Sequence, residues 1–180
     1  MVTYRGISIY LKENPNHSVL RDLMQIHKTQ CPRGPFAFIA SDSLLPGLTL
    51  WENLKLATNG DTWAEILNSS GTEVSALMRL IKNPDTLSSS AQPWERFIIS
   101  LVKGLKSKGN LLIDMKEDEL TPLMVMLLKK IFVRIERDII LASQISSLWL
   151  DCSHRIYSKK EYKIHIEELN CELVSKHWVA

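Results

Sequence analysis

Residues 110–143, NLLIDMKEDELTPLMVMLLKKIFVRIERDIILAS, decide the fold. Asn110-Leu111-Leu112-Ile113-Asp114 is a short apolar run ending in an acid, which suits a strand covered on both faces. Thr121 can cap the next element and Pro122 can open it, because a proline lacks the N–H that the first helical turn leaves unbonded in any case. Met124, Leu127, Leu128, Ile131, Phe132 and Ile135 then recur at the spacing of one helix face, and Met126 is read as core beside them. Ile139-Ile140-Leu141-Ala142-Ser143 follows as a second buried strand. Strand, helix and strand in this order predict a β-α-β unit with parallel strands.

The same alternation extends toward the N-terminus. Ile7, Ile9 and Leu11 alternate with smaller or polar residues over Gly6–Leu11, the period of a strand, and Glu13-Asn14-Pro15-Asn16 breaks it. From Ser18, the residues Val19, Leu20, Leu23, Met24 and His27 recur at helical spacing, with Ser18 or Asn16 as cap. Cys31-Pro32-Arg33-Gly34-Pro35 interrupts the chain, and Phe36-Ala37-Phe38-Ile39-Ala40 predicts another buried strand. Residues 41–90 change character, with short helical segments at Trp51–Ala57, Trp63–Leu67 and Val74–Ile81. They predict a helical subdomain over about 51–95. Pro93 opens a helix whose apolar face is Phe97, Ile98, Leu101, Val102 and Leu105. Beyond residue 143, Arg155–Tyr157 and Tyr162–Ile166 predict a hairpin, followed by a final short helix. The expectation is one α/β domain over residues 1–180 with a mainly parallel sheet. Ligands of such a sheet sit beyond the carboxyl ends of the strands, which singles out Asn14–Ser18, Ser41–Leu44 and Asp114–Asp118.

Composition narrows the function classes. With 45% hydrophobic and 23% charged residues among 180, the chain is neither disordered nor of low complexity. Lys plus Arg at 22 against Asp plus Glu at 20 leaves a formal charge of +2, too small a field to argue for nucleic acid. Cys31, Cys152 and Cys171 are odd in number and form no C-x-x-C pair, so a reducing cytoplasm is expected and no disulfide framework. His27, His154, His165 and His177 show no metal-ligand spacing, and no metal is proposed. The N-terminal residues carry no basic segment followed by a long apolar core, and no stretch has the length of a membrane span, so direct membrane insertion is not expected.

Ser41-Asp42-Ser43-Leu44-Leu45-Pro46-Gly47-Leu48-Thr49-Leu50-Trp51-Glu52-Asn53-Leu54 resembles the glutamine-loop region of ABC-transporter ATPase subunits, which commonly read Q-D-x-L-L-P-x-L-T-V-x-E-N after a strand. Leu111-Leu112-Ile113-Asp114 is similar to that family's Walker B strand, and Leu120 and Pro122 fall where its D-loop has Leu and Pro. Arg96 and Lys103–Leu105 resemble the helix after the signature motif. Ile140–Gln144 and Ser153-His154-Arg155-Ile156 resemble the switch-histidine strand and the segment after it. Order and spacing hold from about Gly6 to Lys163. The resemblance implies a P-loop NTPase-like sheet with helices on both faces and a small helical subdomain.

The departures from that family fall on its chemistry. A phosphate loop needs glycines whose N–H groups surround phosphate, a lysine to neutralise it and a hydroxyl for Mg²⁺. Over Leu11–Ser18, the residues Leu11, Asn14 and Asn16 stand where the family has glycines, His17 replaces the lysine, and Ser18 alone fits. A histidine carries charge only part of the time near neutral pH and reaches less far. Ser41 stands at the glutamine position, Met115 at that of the catalytic glutamate after Asp114, and Gln144 at that of the switch histidine. The signature segment aligns either as Leu87-Ser88-Ser89-Ser90-Ala91 or as Ala91-Gln92-Pro93-Trp94-Glu95, and both alignments lose its glycines.

Plainer readings stand beside these. Asp114 is a strand-end acid or a Mg²⁺ ligand, His17 and Ser18 are a helix cap or part of a nucleotide site, and Glu117-Asp118-Glu119 are solvated loop charges. Leu44, Leu45, Leu48, Leu50 and Trp51 crowd apolar groups into a loop-like stretch that must bury itself or meet a partner. In the resembled family this region receives the membrane subunits. The expectation is therefore a catalytically defective ABC ATPase-like subunit, a pseudo-ATPase without catalytic residues or resident cofactor. It would act as a structural or regulatory partner in a transport complex, by association with an ABC-type ATPase subunit, a membrane permease subunit or a second copy. Its place would be the cytoplasm, at the inner face of the membrane through a permease. The alternative is an ATP-binding subunit that keeps weak ATP and Mg²⁺ binding in a heterodimer, through degenerate positions Asn14, Asn16, His17, Ser18, Ser41, Asp114 and Gln144.

Overall fold

The computed structural model describes residues 7–11, 36–58, 62–153 and 155–157. Its centre is a five-stranded parallel sheet of β1 (Ile7–Leu11), β2 (Phe36–Ile39), β3 (Asn110–Asp114), β4 (Ile139–Ser143) and β5 (Arg155–Tyr157), in the order β2-β3-β4-β1-β5. The protein is thus an α/β protein, as the alternation of strands and helices predicts. Leu111, Leu112 and Ile113 are buried in β3, and all five residues of β4 are buried. Continuous burial explains why these strands are apolar runs rather than alternating ones.

The helices follow the caps written in the sequence. Between β2 and β3 lie α1 (Leu50–Lys55), α2 (Trp63–Ser69), α3 (Thr72–Met78) and α4 (Pro93–Lys106), and α5 (Pro122–Arg134) joins β3 to β4. Thr49 and Thr62 each form a reciprocal capping box with a glutamate three residues on, and Pro93 and Pro122 open α4 and α5. Ile66, Leu77 and Met78, from α2 and α3, join the same core as the sheet residues Ile9, Ile39 and Ile113. Gly104 lets α4 press onto β2: a Cβ there would lie 2.6 Å from Ile39 Cδ1. Beyond α4, the Arg137 guanidinium donates to the carbonyls of Leu105, Ser107 and Gly109, which closes the helix end. On the other flank, Trp149 is fully buried beside Phe132 of α5, with ring centroids 5.9 Å apart.

Some expectations need correction. Arg155–Tyr157 is a strand parallel to β1, with Ser8 opposite Arg155 and Tyr10 opposite Tyr157, an edge strand among the described residues. The chain after β4 crosses over to reach it, as any parallel neighbour requires. Met126 is exposed, because it points opposite the core face formed by Met124, Leu127, Leu128, Ile131 and Phe132. Ile135 is half-buried at the end of α5 rather than a full member of that face. The predicted helix from Ser18 to His27, the second hairpin arm Tyr162–Ile166 and the final helix lie outside the described residues.

Candidate functional site

The topology converges on the carboxyl edge of the sheet. β1 and β4 are neighbours, yet the chain goes from β1 to β2 at one end of the sheet and from β4 to β5 at the other. Progression reverses between these two strands, and a parallel sheet opens a crevice beyond the strand ends at such a point. Leu11 and Ser143 stand opposite each other at this edge, and Asp114 stands opposite Ala142 one strand further on. Ser41 follows β2 by two residues and Gln144 follows β4 by one, so three of the candidate nucleotide positions, Ser41, Asp114 and Gln144, share the edge. Asn14, Asn16, His17 and Ser18 lie outside the described residues.

Several described groups at that edge are engaged within the fold. Ser41 is buried, and its carbonyl accepts from Arg96 Nε at 3.0 Å. Gln144 is exposed and Asp114 half-buried. Met115, at the position where the resembled family has its catalytic glutamate, is 1% exposed and belongs to the hydrophobic core. Its N–H donates to the Ala142 carbonyl at 3.3 Å, which draws the chain after β3 back onto β4. Glu117 overturns its expected place in water. It is 7% exposed, and its Oε1 accepts from the Ser143 hydroxyl and from the Gln144 N–H. Nothing in a run of three consecutive acids distinguishes the one that turns inward.

Next to this edge, a polar network folds the loop after β2. The Ser43 hydroxyl donates to the Ala40 carbonyl at 2.8 Å and shares a 2.6 Å hydrogen bond with the Ser100 hydroxyl, which also accepts from the Ala40 N–H. Asn53 is 0% exposed. Its Oδ1 accepts from the Leu45 N–H at 2.9 Å, and its Nδ2 lies within 3.0–3.4 Å of the carbonyls of Leu45, Leu48 and Thr49 and of Ser88 Oγ. Ser88 in turn donates to the Leu45 carbonyl at 2.6 Å. Arg96 gathers the carbonyls of Ser41, Ser88 and Ala91. Asn53 and Arg96 thus join the Ser41–Thr49 loop to the Ser88–Ala91 loop, although the two are more than 35 residues apart. Both residues stand in stretches that the sequence marks as family-like, but their role depends on loop carbonyls that only the fold brings together.

The apolar stretch around them divides in two. Leu44 and Leu50 are buried in the core and are therefore not available to a partner. Leu45 is 53% exposed, Leu87 is exposed nearby across the Thr49–Leu87 bridge, and Leu48 and Trp51 are half-buried. Trp51 meets Trp63 edge-to-face at 6.0 Å, and the Lys55 ammonium lies 5.6 Å from the Trp51 ring centre.

Electrostatics adds one acid. Burial pushes the Glu119 carboxyl up, with Asp118 adding to the rise, while Lys116 and Arg96 pull it down. The Cys152 thiol is also pushed up, mainly by burial, which makes it an inert core thiol. Among the described residues no group of three or more His, Cys, Asp or Glu is placed to hold a metal ion. At the carboxyl edge, Asp114 offers the hard oxygen that Mg²⁺ takes, but Met115 offers a buried thioether and Glu117 Oε1 already has two donors. No described helix is long and apolar enough to cross a membrane.

Comparison with known proteins gives the fold its relatives. The structure is similar to an ATP binding subunit of an ABC transporter, with a TM-score of 0.63 and 16% identity over 85% of this chain and 74% of that one. It is similar also to a bacterial Atm1-family ABC exporter with ATP bound, with a TM-score of 0.59 and 16% identity over 86% of this chain. There it spans about a third of the exporter's length, 32%. No family model and no curated protein sequence matches the chain. The fold is therefore that of ABC-transporter ATP-binding domains, and the likeness is one of fold.

Proposed function

We propose that this protein is a catalytically defective ABC ATPase-like subunit that acts as a structural or regulatory partner in a membrane transport complex. The observation that carries the proposal is Met115, buried in the core one residue after Asp114. A thioether neither accepts a proton from water nor orients it, and phosphoryl transfer rests on positioning and charge. The fold is kept while the group that would activate water is replaced by a core residue. The protein then works through shape: Leu45, Leu48 and Trp51, backed by Leu44 and Leu50, form an apolar ledge held by Asn53. Its partner would be a permease or an intact ATPase subunit, with the protein at the inner face of the membrane.

The test is turnover and binding of MgATP by the purified full chain. Turnover at the buffer background is expected, as is no restoration in Met115→Glu, because that carboxylate would have to leave the core to reach water. Hydrolysis at the 1–100 s⁻¹ order of phosphoryl-transfer enzymes would overturn the proposal. A second reading, retained nucleotide binding in a heterodimer, is favoured by Asp114, which keeps a half-buried carboxylate beside the crevice. Under that reading Mg²⁺-dependent ATP binding is measurable by calorimetry and falls at least tenfold in Asp114→Ala. Equal binding by the two forms would remove Asp114 from the site.

A further inference from the structure

We propose that Glu117 is a built-in latch that ties the turn after β3 to the end of β4, so that the carboxyl edge of the sheet keeps one arrangement with or without a bound ligand. The latch joins residues 26 positions apart in sequence. Glu117, Asp118 and Glu119 form a single 3₁₀ turn, in which successive side chains point about a third of a revolution apart, so only one of the three can face β4. Asp118 is exposed and Glu119 half-buried, while Glu117 enters the protein.

A buried carboxylate is held only where donors replace water, and Glu117 Oε1 has two of them. The Ser143 hydroxyl donates to it, and the Gln144 N–H donates at 3.2 Å. Ser143 Oγ then accepts from the Ile145 N–H at 3.1 Å, so the carboxylate, the hydroxyl and two successive backbone amides form one chain of hydrogen bonds. Hydrogen bonds in series polarise each other. The turn is pinned from its other end by the Met115 N–H on the Ala142 carbonyl. This placement is independent of what the protein binds and of whether it hydrolyses ATP.

Hydrogen exchange on the full chain reads the latch directly, because the Gln144 and Ile145 amides are two of its members. In Glu117→Ala, exchange is expected to rise at least tenfold at Gln144 and Ile145 and also across Lys116–Leu120, with β2 and α4 unchanged. Ser143→Ala should raise the same two segments, and the double variant should exchange no faster than Glu117→Ala alone, since both changes open one device. Glu117→Gln, which keeps the shape and an acceptor oxygen, should restore part of the protection and serves if the alanine variant does not fold. Millimolar MgATP should change exchange at neither segment in the unsubstituted protein by as much as twofold. Loosening confined to the substituted segment, additive effects in the double variant, or a MgATP-dependent change at both segments would each overturn the latch.

Discussion

The loop after β2 and the turn after β3 leave the same edge of the same sheet, and each is held by a buried polar side chain, but with opposite chemistry. Around Ser41–Thr49 the donors are Asn53 and Arg96 and the acceptors are loop carbonyls. Around Glu117 the acceptor is a carboxylate and the donors are a hydroxyl and an amide. The first arrangement carries an apolar ledge outward, with Leu45 more than half exposed. The second draws Met115 and Glu117 inward and leaves Lys116, Asp118, Gln144 and Ile145 exposed. Irregular backbone has to find partners for its N–H and C=O groups. Here both loops find several of them within the chain.

The sharpest way to break that comparison is to remove the hub of the first region. Asn53→Ala leaves the Leu45 N–H and several carbonyls without their buried partner, and a loss of about 3 kcal/mol in unfolding free energy is expected by denaturant titration. A loss under about 1 kcal/mol would show that the loop is held by its apolar residues instead. Arg96→Met keeps the aliphatic stem and removes the three carbonyl contacts, for an expected loss of about 2 kcal/mol. Arg96→Lys should recover less than half of it, since an ammonium lacks the planar fork.

The smallest effect concerns pH. Burial raises the Glu119 carboxyl, so the folded chain holds that proton more tightly than the unfolded chain does. Its contribution to stability is fully present below the ordinary glutamate value of about 4.3 and is lost as pH rises through the raised value. Glu119→Gln should therefore be at least as stable as the parent at pH 7 and should lack the fall in melting temperature just above the ordinary glutamate range. A larger fall in the Gln variant would mean that the carboxylate is stabilised by Arg96 and Lys116 more than it is disfavoured by burial.

Much of the scaffold is legible from residues alone. β3 and β4 match the runs Asn110–Asp114 and Ile139–Ser143, because a strand buried on both faces has to be apolar throughout. The cap Thr121 and the opening prolines Pro93 and Pro122 mark helix starts by local chemistry, which needs no distant partner. The site is less legible. Leu44 and Leu45 are neighbours of one type, yet one is core and the other surface, and Glu117 and Asp118 divide in the same way.

The sequence by itself therefore determines most of the described elements and their order. Such features are set by side-chain type, by spacing of two or three and a half residues, and by contacts within a few positions. The tertiary structure alone decides which acid is buried, which leucine faces out and which carbonyls Asn53 and Arg96 gather. Those outcomes depend on groups 8 to 55 residues distant, from Leu45 beside Asn53 to Ser41 beside Arg96, and no local preference encodes where another segment will place its donors and acceptors.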